Sequence, residues 1–173
     1  MKNLVIVVIV ALGLFSCQES VKIAYVDVEE IMEEYKGTKE TEATMKVKSD
    51  KLKSELDSLI ANWQNKAKVY QDGAQKMSAK ARQDREQALM QEQQQINQRQ
   101  QNIQQQVQKD GQESLEALSK EINEFVKEYA KGKGYNFVLG TTGSNGTVMY
   151  GEESADVTDD VLVQLNKSYK SKE

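Results

Sequence analysis

From about Glu29 to Gly132 the chain runs for roughly a hundred residues without a proline, with apolar side chains recurring every third or fourth position and one interruption near residues 72–78. That spacing gathers the apolar residues into one stripe along a helix, and two stripes in the same repeat can face each other across a turn. One long antiparallel helical hairpin is therefore expected. The first limb keeps alternating steps of four and three through Ile31, Tyr35, Thr38, Glu42, Met45, Ser49, Leu52, Leu56, Leu59 and Trp63. The return limb does so through Leu115, Leu118, Ile122, Phe125 and Tyr129, with Leu89, Ile96 and Ile103 at steps of seven. Folding back between Met77 and Ser78 pairs residues whose numbers sum to 155, setting Leu52 against Ile103 and Leu59 against Ile96. Two separate patterns then share one register, and limbs of some 48 residues reach on the order of 70 Å.

The seam weakens at one height. Ile103, Val107, Gly111 and Leu115 are spaced by fours, a phase slip that relaxes supercoiling, and Gly111 costs roughly 1 kcal/mol against alanine inside a helix. By the same register it faces Thr44, at the end of a weakly helical stretch that begins at Gly37. A bending point at Thr44 and Gly111 is expected. Residues 91–108 hold eleven glutamines among eighteen, yet Ile96, Ile103 and Val107 keep the repeat alive inside them. The tract reads as a solvated helical face with one apolar stripe.

The chain ends read as a small β-rich body. Residues 22–28 form a strand that runs into a helix, with Asp27 as N-cap, Glu30 three residues on, and Val26 opposite Ile31 as a staple. Glu29, Glu30, Glu33 and Glu34 suit the positive end of the helix dipole, which explains them without chemistry. Lys131 to Gly134 stops the return limb, and residues 135–139 and 147–150 read as two strands joined through Asn145 and Gly146. Thr158 is expected to cap a last helix, with Asp159 and Asp160 in its first turn and Val157 facing Leu162. The fold class is α+β, with the arm at 29–132, its tip near 72–80, and the body at 22–28 and 133–173. Three short strands and a helix make a meagre core, for which oligomerisation is the usual remedy.

Chemistry is nearly absent from the composition. There is no histidine and Cys17 is the sole cysteine, which removes zinc sites, histidine-assisted nucleophiles and an internal disulfide. Gly140, Gly143 and Gly146 lack the Gly-Lys-Ser/Thr of a phosphate loop. No catalytic residue, metal, cofactor or nucleic-acid partner is expected, and the chain is not read as an enzyme. Residues 1–16 form a targeting segment, because Lys2 precedes an apolar run too short to favour a stable span. That run ends in Leu14, Phe15, Ser16 and Cys17, which resembles the bacterial lipobox and implies that Cys17 becomes an acylated N-terminus, followed by a linker at 17–21. Without Lys2 the mature chain has 22 basic against 27 acidic side chains. Lys66, Lys68, Lys76, Lys80, Arg82 and Arg85 gather at the tip while the acidic residues gather at the base.

Together, residues 22–27, the hairpin with Met77 and Ser78 at its tip, residues 125–139, Val148 to Tyr150, residues 156–161, and Leu165 with Asn166 resemble the Skp/OmpH family of periplasmic chaperones. The resemblance implies a homotrimer with a β body closed from three chains, for which Ile23, Tyr25, Phe137, Leu139, Val148 and Tyr150 are the candidate interface. It further implies three arms that enclose unfolded outer-membrane β-barrel proteins without ATP, in the periplasm of a Gram-negative bacterium. Trp63, Tyr70, Lys76, Met77, Lys80, Arg82 and Arg85 are the candidate contacts to client or anionic lipid, although seam packing and ordinary solvation explain them as well. Well-known members of that family are basic overall and diffuse freely, whereas this chain is acidic and has a cysteine placed for acylation. A chaperone tethered to the inner or outer membrane through Cys17 fits better. The rival reading is a coiled-coil lipoprotein that spaces or scaffolds the envelope without a client.

Overall fold

A computed structural model describes residues 21–142 and 148–170. The targeting segment, Cys17, Asn145, Gly146 and Thr147 lie outside the described residues. Strand β1 (Ile23–Asp27) leads into a short helix α1 (Val28–Glu34), then α2 (Lys36–Gly73), a single 3-10 turn, and α3 (Ala79–Lys133). Strand β2 (Phe137–Thr141) and helix α4 (Thr158–Ser168) follow. The architecture is α+β, a long helical hairpin standing on a small body.

The fold-back falls where the seams require it. Met77 is extended at φ −88° and ψ 149°, and Ser78 caps α3 by accepting a hydrogen bond from the Ala81 amide at 3.2 Å. Cross-limb pairs join Tyr35 to Glu121, Lys48 to Asp110, Glu55 to Arg99, Trp63 to Leu89, Lys66 to Glu92 and Tyr70 to Glu86. Their residue numbers sum to between 152 and 158, which brackets the expected 155. At about 1.5 Å per residue, the 55 residues of α3 span roughly 80 Å. Among the described residues no helix is long and apolar enough to cross a membrane.

Three details of the arm depart from the sequence reading. Leu59 and Leu115, placed on the seam, are 44% and 54% exposed, and Glu42 is exposed as well. Ile60, Thr41 and Ser114 turn inward in their place. From Val107 to Leu118 the inward step is eleven residues, or three turns, so the stripe drifts off a strict heptad and leaves Leu115 outside. The first limb is also not continuous. Tyr35 is extended at φ −68° and ψ 129°, which ends α1 and restarts the helix at Lys36.

The body is built by parallel pairing of β1 with β2, Ile23 opposite Phe137 through Asp27 opposite Thr141. To run parallel to β1 after descending α3, the chain must reverse. Gly134 does this at φ +73°, its amide bonding back to Ala130 and Lys131, in a left-handed conformation that penalises any side chain. Ala24 and Val26 face inward on Ile31, Tyr35, Leu118, Ile122, Tyr129, Val157, Val161 and Leu165. The expected strand at 147–150 is not seen in its described part, 148–150. β1 is occupied on one side by β2 and on the other by a bridge from Tyr25 to Asp156, so β1 leaves it no edge to pair with.

Capping differs in one exchange. Asp27 Oδ1 accepts from the Glu29 and Glu30 amides at 2.9 and 3.1 Å. The reciprocal half of the box is supplied by Thr158, whose Oγ1 accepts from the Asp27 amide at 2.9 Å. Thr158 is therefore not the cap of α4. Val157 holds that position, and the Thr158 amide and hydroxyl both donate to Asp156 Oδ1. Helix α4 is further tied to α3 by Asp160, which accepts from Tyr129 at 2.8 Å and from Lys133 at 2.9 Å.

Two outcomes follow from these contacts. A Cβ on Gly37 would lie 2.4 Å from Cε1 of the buried Tyr35 ring, so Gly37→Ala is expected to lose about 1–3 kcal/mol in urea denaturation, outweighing a propensity gain of about 1 kcal/mol. Hydrogen bonds from Lys133, Gln164 and Tyr129 hold Asp160 at a pKa of about 2, below its ordinary 3.8. A depressed carboxylate stabilises the fold above the unfolded value and loses that contribution as pH falls toward the folded one, here between about 4 and 2. Its side chain is 46% exposed, so solvent screens much of the effect. The gap in thermal midpoint between the wild type and Asp160→Asn is expected to narrow from pH 5 to pH 2; a constant gap would contradict this origin.

Candidate functional site

Alternation along β1 and its register with β2 put Ile23, Tyr25, Phe137 and Leu139 on the sheet face turned away from the core. Ile23 is 51%, Phe137 57% and Leu139 41% exposed. Tyr25 is half-buried, with the backbone of Gly151 against its ring. Desolvation, then Asp156, raises its phenol pKa, with smaller contributions from Glu153 and Tyr150. Val148 is half-buried, while Met149 and Tyr150 are almost bare. Each large apolar side chain left in water forgoes roughly 1.5–3 kcal/mol of burial, an unusual concentration for so small a body.

On the arm the candidate residues split into two groups. Trp63 is half-buried and donates its indole N–H to the Leu89 carbonyl at 2.9 Å, and Tyr70 donates its hydroxyl to Glu86. Both span the limbs, so packing accounts for them first. With Leu59 and Ile96, however, Trp63 also lines an open groove of about 690 Å³ between the ion pairs Lys66–Glu92 and Glu55–Arg99. At the tip, Lys76, Lys80 and Arg82 are exposed, and Met77 and Arg85 half-buried. Among the described residues none of these four cations is in an ion pair; lower on the arm Lys48, Lys66 and Arg99 are matched across the limbs, and Lys51, Lys53 and Lys68 are not.

The polyglutamine tract is a continuous part of α3, with Ile96, Ile103 and Val107 half-buried and its other residues mostly exposed. Sequence reading missed the outward turn of Leu59 and Leu115. For Leu115 the visible signal was the eleven-residue step below Val107. It also missed the joint at Tyr35, for which Gly37, a poor helix former that admits the Tyr35 ring, was the available sign.

Residues 22–165 match the family profile described as "Outer membrane protein (OmpH-like)". The chain belongs to the OmpH-like family. A solved structure from Caulobacter crescentus, titled as a candidate OmpH-like outer membrane chaperone, superposes with a TM-score of 0.78 at 17% identity, covering 87% of each chain. At that identity the likeness speaks for the fold alone. No curated protein matches the chain.

Within this OmpH-like hairpin, the expected bending residues lie in unbroken helix, Thr44 exposed in α2 and Gly111 half-buried in α3. A Cβ on Gly111 would meet nothing within 4 Å. Just below, Gly37, Thr44, Ser114, Leu118 and Tyr169 line a cavity of about 230 Å³ between the limbs, so packing is thin at this height. Gly111→Ala is expected to stabilise α3 by up to about 1 kcal/mol and to slow hydrogen exchange across residues 108–114, which in the wild type should exceed that of the rest of the arm. Exchange as slow there as near Leu52, and unchanged by the substitution, would remove the bending point.

Proposed function

We propose that this chain is an ATP-independent holdase of the bacterial periplasm that binds unfolded outer-membrane β-barrel proteins between the arms of a homotrimer. The observation that carries the reading is how the arm is held together. Its seam relies on half-buried residues and polar rungs, with only Leu52 and Leu89 buried along the shaft above the body. Exposed pairs of this kind contribute about 0–1 kcal/mol each. A spacer gains from an evenly packed rod, whereas a holdase gains from a pliable one that offers many weak contacts.

The bare sheet face supports the trimer. Ile23, Phe137 and Leu139, with the half-buried Tyr25 between them and Val148 and Tyr150 from the segment that follows β2, would be covered by neighbouring copies around a three-fold axis. The unmatched cations at the tip support attraction to anionic lipid or acidic clients, an effect that salt weakens. Acylation of Cys17 would tether the assembly to one envelope membrane. No step of this activity calls for catalysis, only for reversible binding.

The test is dilution of a urea-unfolded outer-membrane barrel protein into buffer containing this protein. Light scattering is expected to be suppressed near one trimer per client, without nucleotide. A trimer by sedimentation that leaves aggregation unchanged would favour the spacer; a monomer at micromolar concentration would overturn the assembly itself.

A further inference from the structure

Where α1 gives way to α2, the last carbonyls of one helix and the first amides of the next lack partners within their own helices. Helix α4 supplies them from across the body. Asn166 Oδ1 accepts from the Lys36 amide at 2.8 Å, and its Nδ2 donates to the Glu34 carbonyl at 3.4 Å. Among neutral side chains the amide combines a fixed acceptor with N–H donors, so one residue can satisfy both sides of a break. Three residues later Tyr169 leaves the helix, its amide still bonded to Leu165 at 3.0 Å. Its ring meets that of Tyr35 edge to face, with centroids 5.4 Å apart and planes at 82°. Burial, then Glu40 in the first turns of α2, raises the pKa of its hydroxyl, and the two residues line one cavity. Tyr35 itself donates to Glu121 of α3 and is 1% exposed.

The end of α4 thus touches the body side of the joint, the joint residue, and the arm side. We propose that Asn166 and Tyr169 are positioning residues that form a clasp fixing the foot of α2 against the body, and that releasing the clasp lets that foot shift at Tyr35, so that the paired limbs can tilt as α3 flexes. The contacts are few. Two hydrogen bonds and one ring pair amount to a factor of roughly ten to two thousand in an equilibrium, which leaves the unclasped arm populated at about 10 per cent or less. Tyr169 also lines the cavity between α2 and α3 above the joint, so its withdrawal would leave room for the limbs to shift. This device is independent of what the arms hold.

Electron–electron distance measurements can test it on the full-length chain carrying Cys17→Ser, with spin labels at the exposed positions Val163 of α4 and Val69 of α2 and the labelled chain diluted into unlabelled copies. The wild type is expected to give one narrow distribution. Combining Asn166→Ala with Tyr169→Ala should widen it at least about twofold, while Tyr169→Phe, which keeps the ring pair, should lie between. A control pair at Val69 and Met90, both on the arm, should be unmoved, because the limbs stay paired. An unchanged Val163–Val69 distribution overturns the clasp, and so does equal broadening of both pairs, which reports general loosening. Should the double variant fail to fold, Asn166→Asp, which keeps the acceptor and loses the donor, is expected to broaden the first pair alone; no broadening would count against the proposal.

Discussion

Parallel pairing of β1 with β2 fixes both roots of the arm at one place. Once the strand before the hairpin and the strand after it lie side by side, the limbs between them must rise and return, and their register is set from the base rather than from the tip. This is why the polar rungs from Tyr35–Glu121 to Tyr70–Glu86 hold a nearly constant offset over the whole shaft. It also explains the left-handed glycine at Gly134. Without that reversal β2 could not run alongside β1, and Ala24 and Val26 would lose the sheet that presents them to the core.

Periodicity made the hairpin, its turn at Met77 and Ser78, and its offset legible in the sequence, since the signal repeats over many turns. What it could not show were features decided by single contacts. The break at Tyr35 depends on a ring lodged over Gly37 and on Asn166, more than a hundred residues away. The exchange between Glu30 and Thr158 at the Asp27 amide is equally non-local. Leu115 turns outward because a strict heptad does not hold across a segment that steps by eleven from Val107 to Leu118. Val148 to Tyr150 has strand-like composition, but composition reports suitability for a pleated surface, and the available edge is set by topology.

The candidate surfaces were readable in part. Ile23, Tyr25, Phe137 and Leu139 are candidates from the sequence, and the structure places all four on one face. The tip cations were visible as a local excess of charge. That they are unmatched, as Lys51, Lys53 and Lys68 of the shaft also are while Lys48, Lys66 and Arg99 are paired, needed coordinates. Conversely, Trp63 and Tyr70 read as contacts on grounds of residue type, yet each spends its polar group on the opposite limb.

Helix α3 runs unbroken from the tip down to Lys133, whereas its partner is divided at Tyr35. A twin-membered beam with one solid strut and one articulated strut is not equally compliant in all directions. Flexure in the plane holding both struts requires one to lengthen against the other, and the articulated side can yield to that demand. Sideways flexure finds no such relief. The shaft should therefore behave as a paddle with a preferred plane of sweep rather than as a freely waving thread.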